Sequence, residues 1–290
     1  MNRLKTISFV GAGALASGLA QLLHAQGFTI AEIIARTTQP SKLRATKLAR
    51  KVSASATTLP SAQLNCDLLW LAVPDASIVE VSNQLAKRSN IPPIVLHASG
   101  ALSSDAISSL AARGVHTGSA HPMMTFVPGE PPSLRGAWFA LEGAPQAIRA
   151  ARAIAKALEA RCFTIQPASK ILYHAFGTML SPMLATELQA AERIGLQAGI
   201  TPRDVRRIME PIVLRTVRNV LRNGAGNSFS GPLARGDVNT VAAHLNAISE
   251  TEESLVYRAL MQYATEVMPV KNSDQMKKLL RPSGTRAKKR

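Results

Sequence analysis

Residues 6–16 of the chain are TISFVGAGALA. The first five are mainly β-branched and aromatic, two glycines follow, and small apolar residues then continue with helical spacing. We expect a strand over Thr6–Val10, a tight turn at Gly11 and Gly13, and a helix over Ala14–Ala25. A strand that runs through a glycine-rich turn into a helix is typical of the first unit of a Rossmann-type sheet.

Short apolar runs alternate with helical patterns from this point to about Ile165. Further strands are predicted over residues 29–35, 67–73, 94–97, 114–119, 137–142 and 162–165. Helices are predicted between them, over residues 41–51, 77–87, 105–113 and 145–160. Because neighbouring parallel strands need connections of this length, the alternation indicates an α/β domain with a doubly wound parallel sheet covered by helices.

The strands stop after residue 166, and the pattern becomes helical. One long helix is predicted over residues 169–198, with a kink at Pro182. Further helices are predicted over residues 201–222, capped by Thr201, and over residues 239–267. The sequence therefore predicts an α/β domain over residues 1–166 and an all-helical domain over residues 167–270.

The remaining residues, 271–290, are strongly basic. Eight lysines and arginines face one aspartate there, among proline, serine, glycine and threonine, which predicts a disordered tail. The whole chain has a net charge of +16, which favours anionic partners. Because no aromatic side chain interleaves the charges of the tail, a solubilising role is favoured over contact with nucleic acid.

Composition excludes several other classes of protein. The N-terminal residues lack the apolar length and the cleavage site of a secretory signal, and no run approaches the roughly 20 apolar residues of a membrane span. Cys66 and Cys162 each lie in an apolar segment, which favours buried thiols over a disulfide or a metal site. We therefore expect a cytoplasmic protein that binds neither a membrane nor a metal.

The glycine turn has the chemistry of a site for dinucleotide phosphates. Gly11 is expected to make the tight turn, and Gly13 to let the backbone approach a pyrophosphate. Free N–H groups and the helix dipole favour an anion at the start of the helix. A glycine-rich turn without a ligand is the alternative. The residues expected to form the site are Gly11, Ala12, Gly13, Ala14 and Leu15.

The end of the second strand distinguishes between dinucleotides. Rossmann domains that bind NAD usually place a carboxylate there, which accepts from the ribose 2′-OH. This chain has Arg36 and Thr37 at that point, with Lys42 and Arg44 on the next helix. Because arginine holds a 2′-phosphate by charge-assisted hydrogen bonds, NADP is favoured over NAD. The alternative is a solvated arginine at a strand end.

Two more strand ends carry polar residues. Val73, Pro74 and Asp75 follow one strand, and Ser99 follows the next. The carboxyl ends of parallel strands meet at one edge of the sheet, where open sheets bind ligands, so both loops are expected to line the nicotinamide half of the site. Asp75 is equally suited to cap the helix that follows it.

Three more motifs are HPMMTF (121–126), KILYH (170–174) and GPLARGD (231–237). Together with the elements above, they resemble a known family. The chain is similar to bacterial oxidoreductases with an NADP site, which join a Rossmann-like domain to a C-terminal "domain of unknown function 2520". The resemblance covers nearly all of the chain except the tail. It implies a fold like that of pyrroline-5-carboxylate reductases, ketopantoate reductases and β-hydroxyacid dehydrogenases, with a helical domain like the C-terminal one of 6-phosphogluconate dehydrogenase, but no substrate.

The long helix carries the first candidates for catalysis. β-Hydroxyacid dehydrogenases place a catalytic lysine and an asparagine four residues apart on this helix, whereas this chain has Lys170 and His174. These two share a stripe with Gly177 and Ser181 on an otherwise apolar helix. Polar groups there are costly to bury without a partner, so we expect a cleft in which Ser181 contacts substrate. The alternative is a solvated Lys170 and a His174 that is bonded within the core.

Other candidates lie outside that helix. His121 precedes a proline at a strand end and, with Ser99, approaches the same cleft; it either polarises a substrate carbonyl or bonds a backbone group. Arg235 and Asp237 lie in a glycine-bounded loop. They either bind a substrate carboxylate and orient a base, or belong to a loop that only caps helices.

Together these features predict an enzyme, an NADP-dependent oxidoreductase. It is expected to transfer a hydride between NADP(H) and a small carbonyl, imine or hydroxy-acid substrate held between the two domains. The basic charge favours an anionic substrate, and the long apolar helices favour a homodimer. Two alternatives stay open, namely hydride transfer between NADP and a deazaflavin, and a non-catalytic regulator that binds NADP.

Overall fold

An eight-stranded sheet is the framework of the first part of the chain in the computed structural model, which describes residues 4–129 and 131–281. The strand order is β3-β2-β1-β4-β5-β6-β7-β8, so the chain begins in the middle of the sheet and winds outward in both directions. This order confirms the doubly wound α/β class. The strands are β1 (Thr6–Val10), β2 (Thr29–Ala35), β3 (Ser55–Thr58), β4 (Leu68–Leu71), β5 (Ile94–His97), β6 (His116–Met123), β7 (Trp138–Gly143) and β8 (Arg161–Thr164).

Helices cover both faces of this sheet. Apolar side chains of the first, second and fifth helices pack on one face, and those of the third and fourth pack on the other. The central strands are buried on both sides, which explains their nearly continuous apolar sequences. The helices are α1 (Ala14–Ala25), α2 (Gln39–Lys51), α3 (Asp75–Ala86), α4 (Ser108–Ala111), α5 (Pro145–Ala157) and α6 (Lys170–Thr178).

The sequence pattern predicted a wholly parallel sheet, but one strand of the sheet is antiparallel. β7 runs antiparallel to β6, with Gly118 opposite Gly143. Among the described residues between these strands there is no helix, so the chain returns without the crossover that a parallel neighbour needs. A side chain on Gly143 would lie 2.5 Å from the Cα of Gly118, so the close approach of the two strands requires glycine at position 143.

The edge strand β3 was not predicted. Its sequence, Ser-Ala-Thr-Thr, lacks the apolar run that marks the buried strands, because β3 lies at the border of the sheet and pairs on one side only, with β2. Its side chains are exposed or half-buried. Short polar edge strands of this kind give little sequence signal and protect the sheet from pairing with other chains.

Two compact units, Met1–Ser181 and Pro182–Arg290, divide the chain later than residue 166. The reason lies in α6, whose Lys170 and Tyr173 are buried within the first unit. The predicted helix over residues 169–198 is present as a helical run over residues 170–197, and its regular geometry changes at Pro182, as expected. A π-helical turn, Met179–Met183, follows α6 and contains Pro182, whose missing N–H interrupts the regular hydrogen-bond ladder.

The second unit is entirely helical in its described residues. Thr201 caps the second of its helices through a hydrogen bond from the Asp204 N–H, which confirms that prediction. The predicted last helix is two helices, because Ser249 and Thr251 direct their hydroxyls to nearby backbone carbonyls and interrupt the ladder. The helices are α7 (Leu184–Gln197), α8 (Pro202–Asn223), α9 (Ala225–Ser228), α10 (Pro232–Arg235), α11 (Val238–Ala247), α12 (Glu253–Val267) and α13 (Ser273–Leu280).

The prediction of a disordered tail from residue 271 is wrong for the part of the tail that the structure describes. α13 buries Met276 and Leu280 in the core of the second unit, against Leu233, Val241 and Leu245. The prediction rested on the high content of basic residues in this segment. The spacing of its apolar residues is that of an amphipathic helix, which buries one face and leaves the charged side chains outside the core. Residues 282–290 lie outside the described residues.

Candidate functional site

The carboxyl ends of β1, β2, β4 and β5 meet at one edge of the parallel part of the sheet. β1 and β4 are neighbours, and the chain leaves them in opposite directions. A crevice at such a switch point is where open α/β sheets bind ligands. Most of the site residues expected from the sequence lie at or beside this edge.

The glycine turn after β1 has the geometry that a phosphate site needs. Gly11 has φ +114°, and a side chain there would lie 2.3 Å from the backbone oxygen of Ala72, so only glycine fits. A side chain on Gly13 would meet nothing within 4 Å, and this glycine precedes the first turn of α1. Because no acidic residue lies in that turn, the free N–H groups of Ala14 and Leu15 are available to an anion.

Basic residues surround the end of β2. Arg36 is exposed, and its backbone N–H donates to the Ser41 hydroxyl, which holds the strand end against the start of α2. Thr37, Lys42 and Arg44 are also exposed. Of these residues Lys42 also lines a cavity of about 280 Å³ between α2 and β3. The arrangement offers cations, hydroxyls and a helix N-terminus to an anionic group.

Asp75 and Ser99 join the next two strand ends. The Ser99 hydroxyl donates to Asp75 Oδ2 at 2.7 Å and accepts from the N–H groups of Ala101 and Leu102. Asp75 is the first residue of α3, and its side chain makes no capping hydrogen bond. The capping role that the sequence allowed for Asp75 is therefore not what the structure shows. Val73 is half-buried beside it, and Pro74 and Asp75 are exposed.

His97 supports this serine from below, a role that the sequence did not reveal. The Ser99 N–H donates to Nδ1 of His97, and Nε2 lies 3.0 Å from the Ser103 carbonyl. Since a carbonyl only accepts, the ring proton lies on Nε2 and the ring is neutral. Burial, together with the nearby Lys170 charge, lowers the pKa of His97 to about 4. His97 thus holds the backbone of the Ser99 loop in place through hydrogen bonds at both ring nitrogens.

Lys170 is completely buried, with 0% of its surface exposed. Its Nζ donates to the Ser99 carbonyl at 3.0 Å and to the Ser119 hydroxyl, which itself donates to the same carbonyl. Burial lowers the pKa of Lys170 to about 8, against the opposing effect of the Glu142 and Asp75 carboxylates. Lys170 is therefore not the solvated first-turn residue that the sequence left open.

His121 and His174 lie on either side of Gly100. A side chain on Gly100 would come within 2.9 Å of His121 Nε2 and of His174 Cδ2, so both rings lie against its Cα. The ring centroids are 6.3 Å apart. His174 is exposed, which excludes the alternative of a core histidine. Lys170 and His174, although on one predicted stripe, thus face different surroundings.

Tyr173 is the residue of this cluster that the sequence analysis missed. It is buried, and its hydroxyl lies 2.8 Å from Nδ1 of His121, with the two rings at 88°. Burial raises the pKa of Tyr173 to about 12. Burial, with the Lys170 charge and then His174, lowers the pKa of His121 to about 4. The i, i+3 spacing of Lys170 and Tyr173 is the signal that could have found this residue.

The remaining predicted residues do not join this cluster by any hydrogen bond within the described part of the chain. The Ser181 hydroxyl shares a 3.2 Å hydrogen bond with Thr125. In the second unit, Arg235 pairs with Asp237 through Nε and Nη2, at 3.0 and 2.9 Å. The backbone of this loop is fastened by Lys271 and Asn272, which donate to Ala234 and Gly236.

The two cysteines form no disulfide in the described part of the chain. Cys66 and Cys162 are unpaired and half-buried, and burial raises the pKa of Cys66 to about 11. Residues 4–129 and 131–281 contain no group of three potential metal ligands. In the same residues, none of the helices combines the length and the apolar character that crossing a bilayer requires.

Comparison with known proteins places two family models on the chain. The model described as a Rossmann-like domain matches residues 1–122. The model described as "Domain of unknown function (DUF2520)" matches residues 137–264, and so takes in β7, α5 and β8 as well as most of the helical unit. A search of curated proteins finds no match to this chain.

Solved structures share the fold over nearly the whole chain. A Bacteroides fragilis protein, provisionally described as an NADP oxidoreductase, has a TM-score of 0.78 and 22% identity, covering 90% of this chain and 98% of its own. A reductive aminase from Aspergillus terreus in complex with NADPH and ethyl levulinate has a TM-score of 0.62 and 17% identity, covering 91% and 94%.

A pyrroline-5-carboxylate reductase from Coxiella burnetii has a TM-score of 0.58 and 17% identity, covering 96% of this chain and 99% of its own. At these identities the likeness shows the fold alone. The family models and the motifs that they contain agree with the resemblance inferred from the sequence. Models of a Rossmann-like domain and of the DUF2520 domain thus match successive parts of the chain.

Proposed function

We propose that the protein is an NADP-dependent oxidoreductase that reduces a small carbonyl or imine compound or oxidises the corresponding hydroxy acid. The observation that carries this proposal is the open glycine turn at the β1–β4 switch point, with Arg36 exposed at the neighbouring strand end. In this assignment the first unit binds the cofactor, and the second unit contributes to substrate binding and assembly. Two structural neighbours described with NADP or NADPH support the same assignment.

The residues fit the cofactor at both phosphate positions. The pyrophosphate would be held by the backbone of Gly11, Ala12 and Gly13 and by the first turn of α1. The 2′-phosphate would be held by Arg36 and Thr37. Val73, Pro74, Asp75 and Ser99, at the neighbouring strand ends, would line the nicotinamide half. Bound NADPH would supply the hydride, and the protein would have to orient the substrate and supply a proton.

The His121–His174 pair is suited to the proton chemistry. His121 is neutral at physiological pH, so its ring can donate a hydrogen bond to the oxygen or nitrogen that gains electrons, without carrying a charge. His174 is exposed and so is in contact with solvent. Lys170 is a positioning residue, because all of its contacts are to Ser99 and Ser119.

A substrate carboxylate fits the basic character of the chain. Arg235 pairs with Asp237 through Nε and Nη2 and would bind the carboxylate through Nη1, and Ser181 offers a further hydroxyl. The two unpaired thiols fit a reducing compartment such as the cytoplasm.

We expect Arg36→Ala to weaken NADPH binding by roughly 10- to 100-fold, since a hydrogen bond to a charged group contributes about 1.5–3 kcal/mol. NADH binding should stay unchanged, because NADH lacks the 2′-phosphate. Titration of both cofactors, followed by fluorescence, measures the two affinities. Arg50→Ala, which removes an exposed arginine from the last turn of α2, is the matched control and should change NADPH affinity far less. Equal losses in the two variants would remove the basis for NADP selectivity.

Turnover distinguishes an enzyme from a regulator. The purified protein is to be mixed with NADPH and a panel of 2-oxo acids and cyclic imines, and the loss of the dihydronicotinamide absorbance recorded. Oxidation of NADPH with any member supports the reductase. Tight binding of NADPH without turnover of any panel member would favour the regulator, and turnover only with a deazaflavin would favour that alternative.

We propose further that the protein is a homodimer. Soluble monomers rarely expose large contiguous apolar patches, yet α6 exposes Leu172 (78%) and Ile171 (68%), and α8 exposes Leu221 (82%) and Ile212 (65%). A second copy of the chain is the occupant that covers these faces in the proposal. Light scattering after gel filtration should give twice the chain mass of 30.9 kDa.

Charged substitutions on these faces test the dimer. Leu172→Glu and Leu221→Glu should each raise the dimer dissociation constant roughly thirtyfold or more, because central interface residues contribute about 2 kcal/mol or more. Leu43→Glu alters an apolar side chain on α2 that is 57% exposed, and it should leave the dimer intact. A monomeric wild-type protein at all concentrations would contradict the proposal.

A further inference from the structure

Tyr173 is 9% exposed, and its hydroxyl has one hydrogen-bond partner in the described part of the chain, Nδ1 of His121. A phenol has one proton to donate, whereas a neutral imidazole has one nitrogen that donates and one that accepts. If His121 carried its proton on Nδ1, the ring would donate to Tyr173, and the phenol proton would be left without an acceptor among the described residues. Such an unpaired group costs about 1–3 kcal/mol.

We infer that Tyr173 donates its hydroxyl proton to His121 Nδ1 and thereby fixes the imidazole proton on Nε2, the nitrogen that faces Gly100 and His174. This inference rests on the proposed function for its consequence and goes beyond it in naming Tyr173 as the residue that sets the state of His121. Tyr173 is a positioning residue, since it acts through His121.

The surroundings of His121 agree with this tautomer. Nε2 faces Gly100, which has no side chain to occupy the space beside the ring. His174 borders the same space. Burial, and after it the Lys170 ammonium, lowers the pKa of His121, so the ring stays neutral. The N–H on Nε2 is thus directed away from Tyr173 and toward the space where a substrate oxygen or nitrogen would have to be polarised.

The chain contains a second pair of the same kind, which serves as a control. The Tyr257 hydroxyl lies 2.8 Å from Nδ1 of His244, with the rings at 83°. Unlike the first pair, it is accessible to water, because His244 is exposed and Tyr257 is only half-buried. Water can accept the phenol proton there, so Tyr257 does not restrict His244 to one tautomer.

Long-range ¹H–¹⁵N correlation spectra of the full chain labelled at its six histidines report which ring nitrogen carries the proton. The His121 signals are assigned by their loss in His121→Ala. In the wild type we expect His121 to show the Nε2–H form alone at neutral pH. In Tyr173→Phe, which keeps the ring and removes the hydroxyl, we expect a mixture of both forms. Tyr257→Phe should leave the His121 signals unchanged.

The wild-type spectrum alone can overturn the inference. An Nδ1–H form of His121 in the wild type contradicts it even if Tyr173→Phe is poorly folded, and an unchanged Nε2–H form in a folded Tyr173→Phe contradicts it as well. Turnover is measured separately, with NADPH and the panel of 2-oxo acids and cyclic imines. There Tyr173→Phe should lower kcat about 10-fold and leave KM for NADPH unchanged. If the wild type reduces no panel member, the proposed function fails, while the spectra still decide the role of Tyr173.

Discussion

Removal of residues 271–290 is expected to unfold the second unit. The truncation deletes α13 and with it Met276 and Leu280, which are 0% and 1% exposed in the core of that unit. Loss of each large buried side chain costs about 2–5 kcal/mol, so the two together approach the whole stability of a typical domain. It also removes the hydrogen bonds from Lys271 and Asn272 that hold the GPLARGD loop.

Chemical denaturation followed by circular dichroism measures this effect, and limited proteolysis shows which unit opens. The matched control ends the chain after Arg281 and so keeps α13 complete. We expect this shorter truncation to preserve the free energy of unfolding and the affinity for NADPH. A truncation after Val270 that unfolds at the same denaturant concentration as the full chain would show that α13 contributes nothing to the core.

His121→Ala is expected to lower kcat by about 10²–10³ while NADPH affinity stays within about twofold. The reason is that loss of one hydrogen-bond donor to the developing charge typically costs this much in rate, whereas His121 has no part in the proposed phosphate sites. The measurement is NADPH oxidation with whichever panel compound the wild type reduces, alongside a titration of NADPH. A variant with wild-type kcat would show that the histidine cluster is structural.

The same variant should alter the dependence of stability on pH. The pKa values of His97 and His121 are lowered to about 4 in the folded protein, from a usual value of 6.5. Between these limits the unfolded chain binds more protons than the folded one, so the free energy of unfolding rises with pH. Near pH 5 the two histidines together give a slope of roughly 2–2.5 kcal/mol per pH unit. His121→Ala should remove about half of it, and urea denaturation between pH 4 and 7 gives the value.

Several elements were predictable because their cause is local. The strands Thr29–Ala35 and Ile94–His97 and the helix Ala14–Ala25 have the bounds expected from their apolar patterns, and the Thr201 cap was evident from its sequence. β3, the direction of β7 and the interruption after residue 247 were not predicted. Each of these depends on contacts with distant residues or on competition between side chains and the backbone, which periodicity does not contain.

The sequence by itself determined the doubly wound sheet, the glycine turn and the position of Arg36, because each follows from residues close together in the chain. Only the tertiary structure decided the fates of Lys170 and His174. Both belong to α6 and lie one turn apart, yet Lys170 is buried and His174 is exposed. The Ser99 carbonyl lies beyond the end of β5 and accepts hydrogen bonds from Lys170 and Ser119. Because a buried carbonyl without a donor is unfavourable, this contact stabilises the buried position of the lysine. That carbonyl is 71 residues away in sequence, and no local pattern can indicate the contact.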